Sequence, residues 1–106
     1  MYKPLPDSLT IKPSGIDGLG LFAKKGIAQG ANLGMSHVLI GSGIVRTPMG
    51  GFINHSDDAN IVKVELRIDE KDDPLLKVAT KKWNLVALRD IKKGEELTVQ
   101  YTFYDI

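Results

Sequence analysis

A chain of 106 residues is long enough for one hydrophobic core and too short for two. Its 42% apolar and 25% charged residues are ordinary globular usage, which argues against disorder and fibrous structure, and the absence of cysteine excludes disulfide frameworks and thiolate-held zinc or iron–sulfur sites. The net charge is +1, and the division into +3 over residues 1–51 and −2 over residues 52–106 is too slight to build a nucleic-acid-binding face.

One domain over residues 1–106 is the expectation, with residues 1–8 forming an extended N-terminal arm punctuated by Pro4 and Pro6. No apolar run has the length of a signal peptide or of a membrane span, so the chain is expected to be soluble and intracellular, cytoplasmic or in a host cell. Leu9-Thr10-Ile11 is a short strand ended by Pro13-Ser14-Gly15. In the stretch Ile16 to Ala23, Gly18 and Gly20 flank Leu19; they allow close approach of a neighbouring strand or a ligand, or mark a strained turn or bulge. The third glycine of a dinucleotide fingerprint is missing.

The segment from Leu21 to Leu33 then recurs 64 residues later. Leu21-Phe22-Ala23, Lys25, Ile27, Gly30 and Leu33 reappear as Leu85-Val86-Ala87, Arg89, Ile91, Gly94 and Leu97. Each copy reads as strand, turn, buried isoleucine, glycine corner and strand, which predicts a pseudo-symmetric β scaffold. Residues 34–51 hold five glycines and Pro48, leaving no place for a long helix.

Gly51 to Asn60 places Asn54, His55 and Ser56 directly behind the apolar pair Phe52-Ile53. The composition predicts an irregular loop rooted in the core, with polar side chains held at a fixed place. Beyond it, Val62, Val64, Leu66 and Ile68 alternate with charged residues, as in a strand with that face buried. A charged turn follows at Asp69–Asp73. Residues 76–80 and 85–88 are predicted to form a hairpin across Lys81–Asn84. Tyr101, Phe103 and Tyr104 cluster in the last six residues. The fold class is therefore mainly β, with short strands and little helix.

Several chemistries can be set aside. With two histidines, His37 and His55, and no cysteine, the chain shows no metal-ligating pattern. Ser56 and Asp57 adjoin His55, but neighbours in a loop do not face one another as a triad requires. Glu95 and Glu96 read as an exposed turn after Lys92-Lys93-Gly94. A Gly-x-Gly turn, an Asn-His loop and an aromatic tail remain, all suited to enclosing an organic ligand.

In this order, Gly18-Leu19-Gly20-Leu21-Phe22, Phe52-Ile53-Asn54-His55-Ser56 through Asn60, Leu85 to Ile91, and Gly94-Glu95-Glu96-Leu97-Thr98 through Tyr101 resemble the SET-domain protein lysine methyltransferases. The resemblance implies a β-clip fold of small curved sheets, with the C-terminal segment threaded in a knot-like arrangement beneath the Asn-His-Ser loop. It also implies that S-adenosylmethionine is the cofactor and that a protein carrying an accessible lysine is the substrate. Gly18, Leu19 and Gly20 would lie against the cofactor through their backbone, Asn54 near its amino-acid end and His55 near its adenine. Tyr101 matches the catalytic tyrosine, and Phe103 and Tyr104 would line the lysine channel.

The sequence also departs from the family's pattern. The segment from Gly34 to Gly51 is short, Gly50-Gly51 stands where an arginine is common, and no cysteine-rich zinc segment follows Tyr101, as in minimal forms similar to viral or bacterial members. The arm, a second copy of the chain in a homodimer, or the substrate are the candidates for closing the pocket. These departures keep open a second reading, a non-catalytic β-clip module that binds a protein or small ligand.

Overall fold

The computed structural model describes residues 5–40, 43–67 and 79–100. Strand β1 (Leu9–Pro13) turns back on β2 (Leu19–Ala23), with Leu9 opposite Ala23 and Pro13 opposite Leu19. Next come β3 (Asn32–Ile40), β4 (Gly43–Arg46), the single-turn α1 (Pro48–Phe52), β5 (Asn54–His55), β6 (Ile61–Arg67), β7 (Ala79–Ala87) and β8 (Glu96–Val99). The strand order is β1-β2-β8-β6-β7-β3-β4, with β5 also paired to β8. Among the described residues this is a mainly β fold, as the strand patterning of the sequence predicts, and no helix is long and apolar enough to cross a membrane.

The sequence repeat is a structural repeat whose two copies exchange strands. β2 of the first copy pairs with β8 of the second, Phe22 opposite Glu96, while β7 of the second pairs with β3 of the first, Val86 opposite Asn32. Between them Ile27 and Ile91 form an antiparallel bridge, each N–H donating to the other's carbonyl at 2.8 Å. The flanking bonds are duplicated too. Ala23 N–H donates to Glu95 O and Ala87 N–H to Ala31 O; Gly30 N–H donates to Ala87 O and Gly94 N–H to Ala23 O. Gly30 and Gly94 share φ values of +83° and +91°, a region that a side chain disfavours, which is why glycine recurs at this corner. Each copy thus completes the other's sheet, and Leu21, Leu85, Ile91, Leu97 and Ile61 fill the core between them.

Three sequence expectations are corrected by this arrangement. β7 runs unbroken through Lys81–Asn84, where a hairpin turn was expected: the stretch has no glycine or proline, and it is bonded to β3 on one side and β6 on the other. In β6 the strand is as expected but its apolar face is not buried, and on the other face only Ile61 is, with Glu65 and Arg67 exposed; Ile68 lies outside the described residues. Ile61 sits opposite Ala87 in the core, so Val62, Val64 and Leu66 point outward and are 37–38% exposed. The Asn-His segment is also more regular than a loop, because Asn54 and His55 form β5. Of the N-terminal arm, residues 5–8 are described; Leu9 N–H closes a turn on Pro6 O, and Leu5 packs against the core. The charged turn at 69–73 lies outside the described residues.

Because the two copies interlock through Ile27 and Ile91, truncating either side chain should loosen both halves at once. Ile91→Ala is expected to lower unfolding free energy by about 2–5 kcal/mol while unfolding remains a single transition, measured by urea denaturation.

Candidate cofactor and substrate site

Phe52 and Ile53 root the segment as expected, Ile53 buried and Phe52 packed on the core, and this delivers Asn54 to the edge of β8. β5 runs parallel to β8, Asn54 opposite Thr98 and His55 opposite Val99, and Ser56 N–H donates to Val99 O at 3.2 Å. Gly50 shapes this approach. A Cβ there would overlap the Ser36 carbonyl, so α1 lies directly on the backbone of β3.

The Asn54 amide then reaches the turn between β1 and β2. Its Nδ2 lies 3.2 Å from Asp17 O, 3.1 Å from Leu19 O and 3.0 Å from Glu96 Oε2. All three neighbours are acceptors, so the nitrogen must face inward and Oδ1 is turned the other way. Gly18 (φ +44°) and Leu19 are exposed beside it, and Ser14 N–H closes the turn on Gly18 O at 2.8 Å. Two segments read separately in the sequence, Gly18-Leu19-Gly20 and Asn54, are therefore in contact. His55 is partly exposed, its Nε2 3.2 Å from Asp57 Oδ1. Tyr101, Phe103 and Tyr104 lie outside the described residues, as does the chain that would complete a knot beyond Gln100.

Two residues at this site escaped the sequence reading. Glu96 is not an exposed turn residue: it opens β8, and its carboxylate accepts from Ser14 Oγ and Asn54 Nδ2. Only Glu95 serves the turn, accepting from Lys92 N–H at 2.9 Å. The available signal was the alternation Glu96-Leu97-Thr98-Val99, which puts Leu97 and Val99 on the core side and Glu96 on the other. The second residue is Asn60, which is buried. Its Nδ2 donates to Glu96 O and its Oδ1 accepts from Thr98 N–H, at 3.0 and 2.8 Å, so a side chain takes the place of a strand along this part of β8.

The other histidine has a structural role. His37 is 3% exposed, packs edge-on against Trp83, and sits with Nδ1 2.9 Å from Ser36 Oγ. Since that hydroxyl donates to Trp83 O, it accepts from the imidazole, which fixes the neutral Nδ1–H tautomer. Burial, with help from the charges of Lys63 and Arg46, lowers its pKa to about 4.

A family model described as SET domain matches residues 39–102, more than half of the chain, and the chain belongs to the SET-domain family. The β1–β2 turn precedes the matched span, but structural likeness extends over it. A Plasmodium falciparum candidate histone methyltransferase superposes with a TM-score of 0.69 at 19% identity, covering 87% of this chain and 94% of that one. The methyltransferase domain of human PR domain-containing protein 2 gives 0.63 at 20%, covering 96% and 82%. A chain of Chaetomium thermophilum Polycomb Repressive Complex 2, in a structure with S-adenosylmethionine bound, gives 0.67 at 19%. It covers 89% of this chain, which spans only 15% of the length of that one. These likenesses establish a common fold. No curated protein sequence matches the chain.

Two outcomes are expected from the geometry. Asn60→Ala leaves Thr98 N–H and Glu96 O without their partner and should cost about 2–3 kcal/mol in denaturant titration. For His37 the unfolded chain, with a pKa near 6.5, binds a proton that the folded protein refuses down to about 4. Stability is therefore whole above pH 6.5 and falls by up to about 3 kcal/mol as pH drops towards 4. His37→Phe should flatten that part of the stability–pH curve.

Proposed function

We propose that this SET-domain protein transfers a methyl group from S-adenosylmethionine to a lysine side chain of a protein substrate, with residues 1–106 forming one functional domain. The observation that carries the reading is the junction of Asn54, the Asp17–Leu19 turn and β8. It gathers the family's separated motifs at one place, and Val99, two residues before Tyr101, lies opposite His55.

The groups there fit the amino-acid end of the cofactor. Asn54 Oδ1 is an acceptor turned away from the Asp17 and Leu19 carbonyls that its Nδ2 engages, which suits an ammonium group, and Gly18 presents backbone with no side chain in the way. When bound, S-adenosylmethionine supplies a methyl group on a positively charged sulfur. Asn54 and the Gly18–Leu19 backbone would hold and orient it, and the backbone of His55 would lie towards its adenine.

The acceptor lysine must arrive uncharged, although its ordinary pKa is about 10.4. On this reading Phe103 and Tyr104 would line a narrow apolar channel, and exclusion of water there, together with a nearby positive charge, would lower that pKa and release the proton to solvent. The Tyr101 hydroxyl, itself with a reference pKa of about 10, orients the reacting groups by hydrogen bonding and does not serve as a strong base. Catalysis on this reading is chiefly alignment of the amine with the methyl carbon.

Incubation with methyl-labelled S-adenosylmethionine and a lysine-rich protein pool should yield methyl-lysine on hydrolysis. Tyr101→Phe should lower kcat by about 100-fold, the effect typical of one catalytic hydrogen bond. Absence of label, with no heat of S-adenosylmethionine binding in calorimetry, would overturn the proposal in favour of a non-catalytic module.

A further inference from the structure

The two glycines of the Gly18-Leu19-Gly20 turn have different surroundings. Gly18 has a left-handed φ of +44°, and a Cβ built on it would meet nothing within 4 Å. Gly20 lies within β2, where a Cβ would overlap the Glu96 carboxylate and come within 3.1 Å of Asn54 Nδ2. The space a side chain would need at position 20 is thus filled from inside the protein by Glu96.

The Glu96 carboxylate connects three segments. Ser14 Oγ is 2.9 Å from both of its oxygens, and the same Oγ accepts from Ile16 N–H at 2.9 Å and Asp17 N–H at 3.4 Å. On its other side Asn54 Nδ2 links it to the carbonyls of Asp17 and Leu19. The turn is therefore held at its amides through Ser14 and at its carbonyls through Asn54, and both holds end on one carboxylate. Its position is set by β8, where Phe22 lies opposite Glu96 and Asn60 bonds the Glu96 carbonyl. Both partners of the carboxylate are neutral donors, so moving either one leaves a half-buried charge short of a hydrogen bond.

We infer that Glu96 is the positioning residue of the cofactor site, fixing the Gly18–Leu19 turn at its working distance from Asn54, and that Gly20 is a glycine in order to admit Glu96, not the ligand. This rests on the proposed reading of the turn as the cofactor's cradle. It reassigns one of the two glycines and predicts a dependence between positions 20 and 96 that a ligand-facing glycine would not show.

The test is calorimetric titration of the 106-residue chain with S-adenosylhomocysteine, the demethylated cofactor, alongside thermal melting. Glu96→Ala should weaken binding about tenfold or more and Ser14→Ala, at a partly exposed position, about threefold, with the folded fraction unchanged at the titration temperature. Glu96→Gln should fall between wild type and Glu96→Ala, because one amide oxygen can still accept from Ser14 or Asn54. Gly20→Ala should bind poorly, and Gly20→Ala/Glu96→Ala no worse than Glu96→Ala alone, since the shorter side chain vacates the space. Wild-type affinity in Ser14→Ala and Glu96→Gln, or melting temperatures that fall without loss of affinity, would overturn the positioning role. Losses at 20 and 96 that multiply would overturn the assignment of Gly20. Failure of the wild-type chain to bind S-adenosylhomocysteine would instead remove the cofactor reading of the turn, and this inference with it.

Discussion

Strand β8 carries the constraint on which the rest of this protein depends. Four residues long, it is bonded along one edge by β2 and then β5, and along the other by the start of β6 and by the side chain of Asn60. Those partners come from the beginning and the middle of the chain, so β8 cannot be placed until most of the fold exists. Leu97 and Val99 point from it into the core, while Glu96 points from it to the candidate site. One strand thereby couples core packing to the geometry of the candidate site.

The exchange of strands between the two repeats explains how so short a strand is held. Neither copy can pair its own strands; each lends its first strand to the other's second, and the Ile27–Ile91 bridge closes the crossing. Contacts between residues about 64 apart in sequence cost more loop-closure entropy than a hairpin would, and this cost is met by burying the isoleucines and leucines at the crossing. Asn60 extends the same economy of parts, with a side-chain amide standing in for backbone where no further strand is available.

The site inherits its form from this scaffold. A single-turn helix lying flat on β3, made possible by Gly50, delivers Phe52 and Ile53 to the core and Asn54 to the edge of β8. At that edge the Glu96 carboxylate is held by the hydroxyl of Ser14 and the amide of Asn54. The buried pair Ser36–His37, by contrast, belongs to the β3–β7 packing around Trp83 and takes no part in this junction.

Much of this was legible in the residues themselves. Recurrence of Ile, Gly and Leu at one spacing revealed the paired scaffold, because a glycine at a positive-φ corner and an isoleucine in the core are demands of local conformation and burial that the chain states twice. Phe52-Ile53 before Asn54 disclosed a rooted polar segment for the same reason. Periodicity identified β6 as a strand but not that its burial stops at Ile61, since that depends on Ile61 meeting Ala87 across a strand pairing that no local pattern encodes. The same holds for β7, whose continuity is enforced by neighbours on both edges. Glu96 is the sharpest case. By sequence alone it was one of two glutamates after a basic turn, and only the tertiary structure, by laying β8 beside β2 and β5, brought its carboxylate to Gly20, Ser14 and Asn54, residues whose hydrogen-bonding needs are met across distances in the chain that local physics does not span.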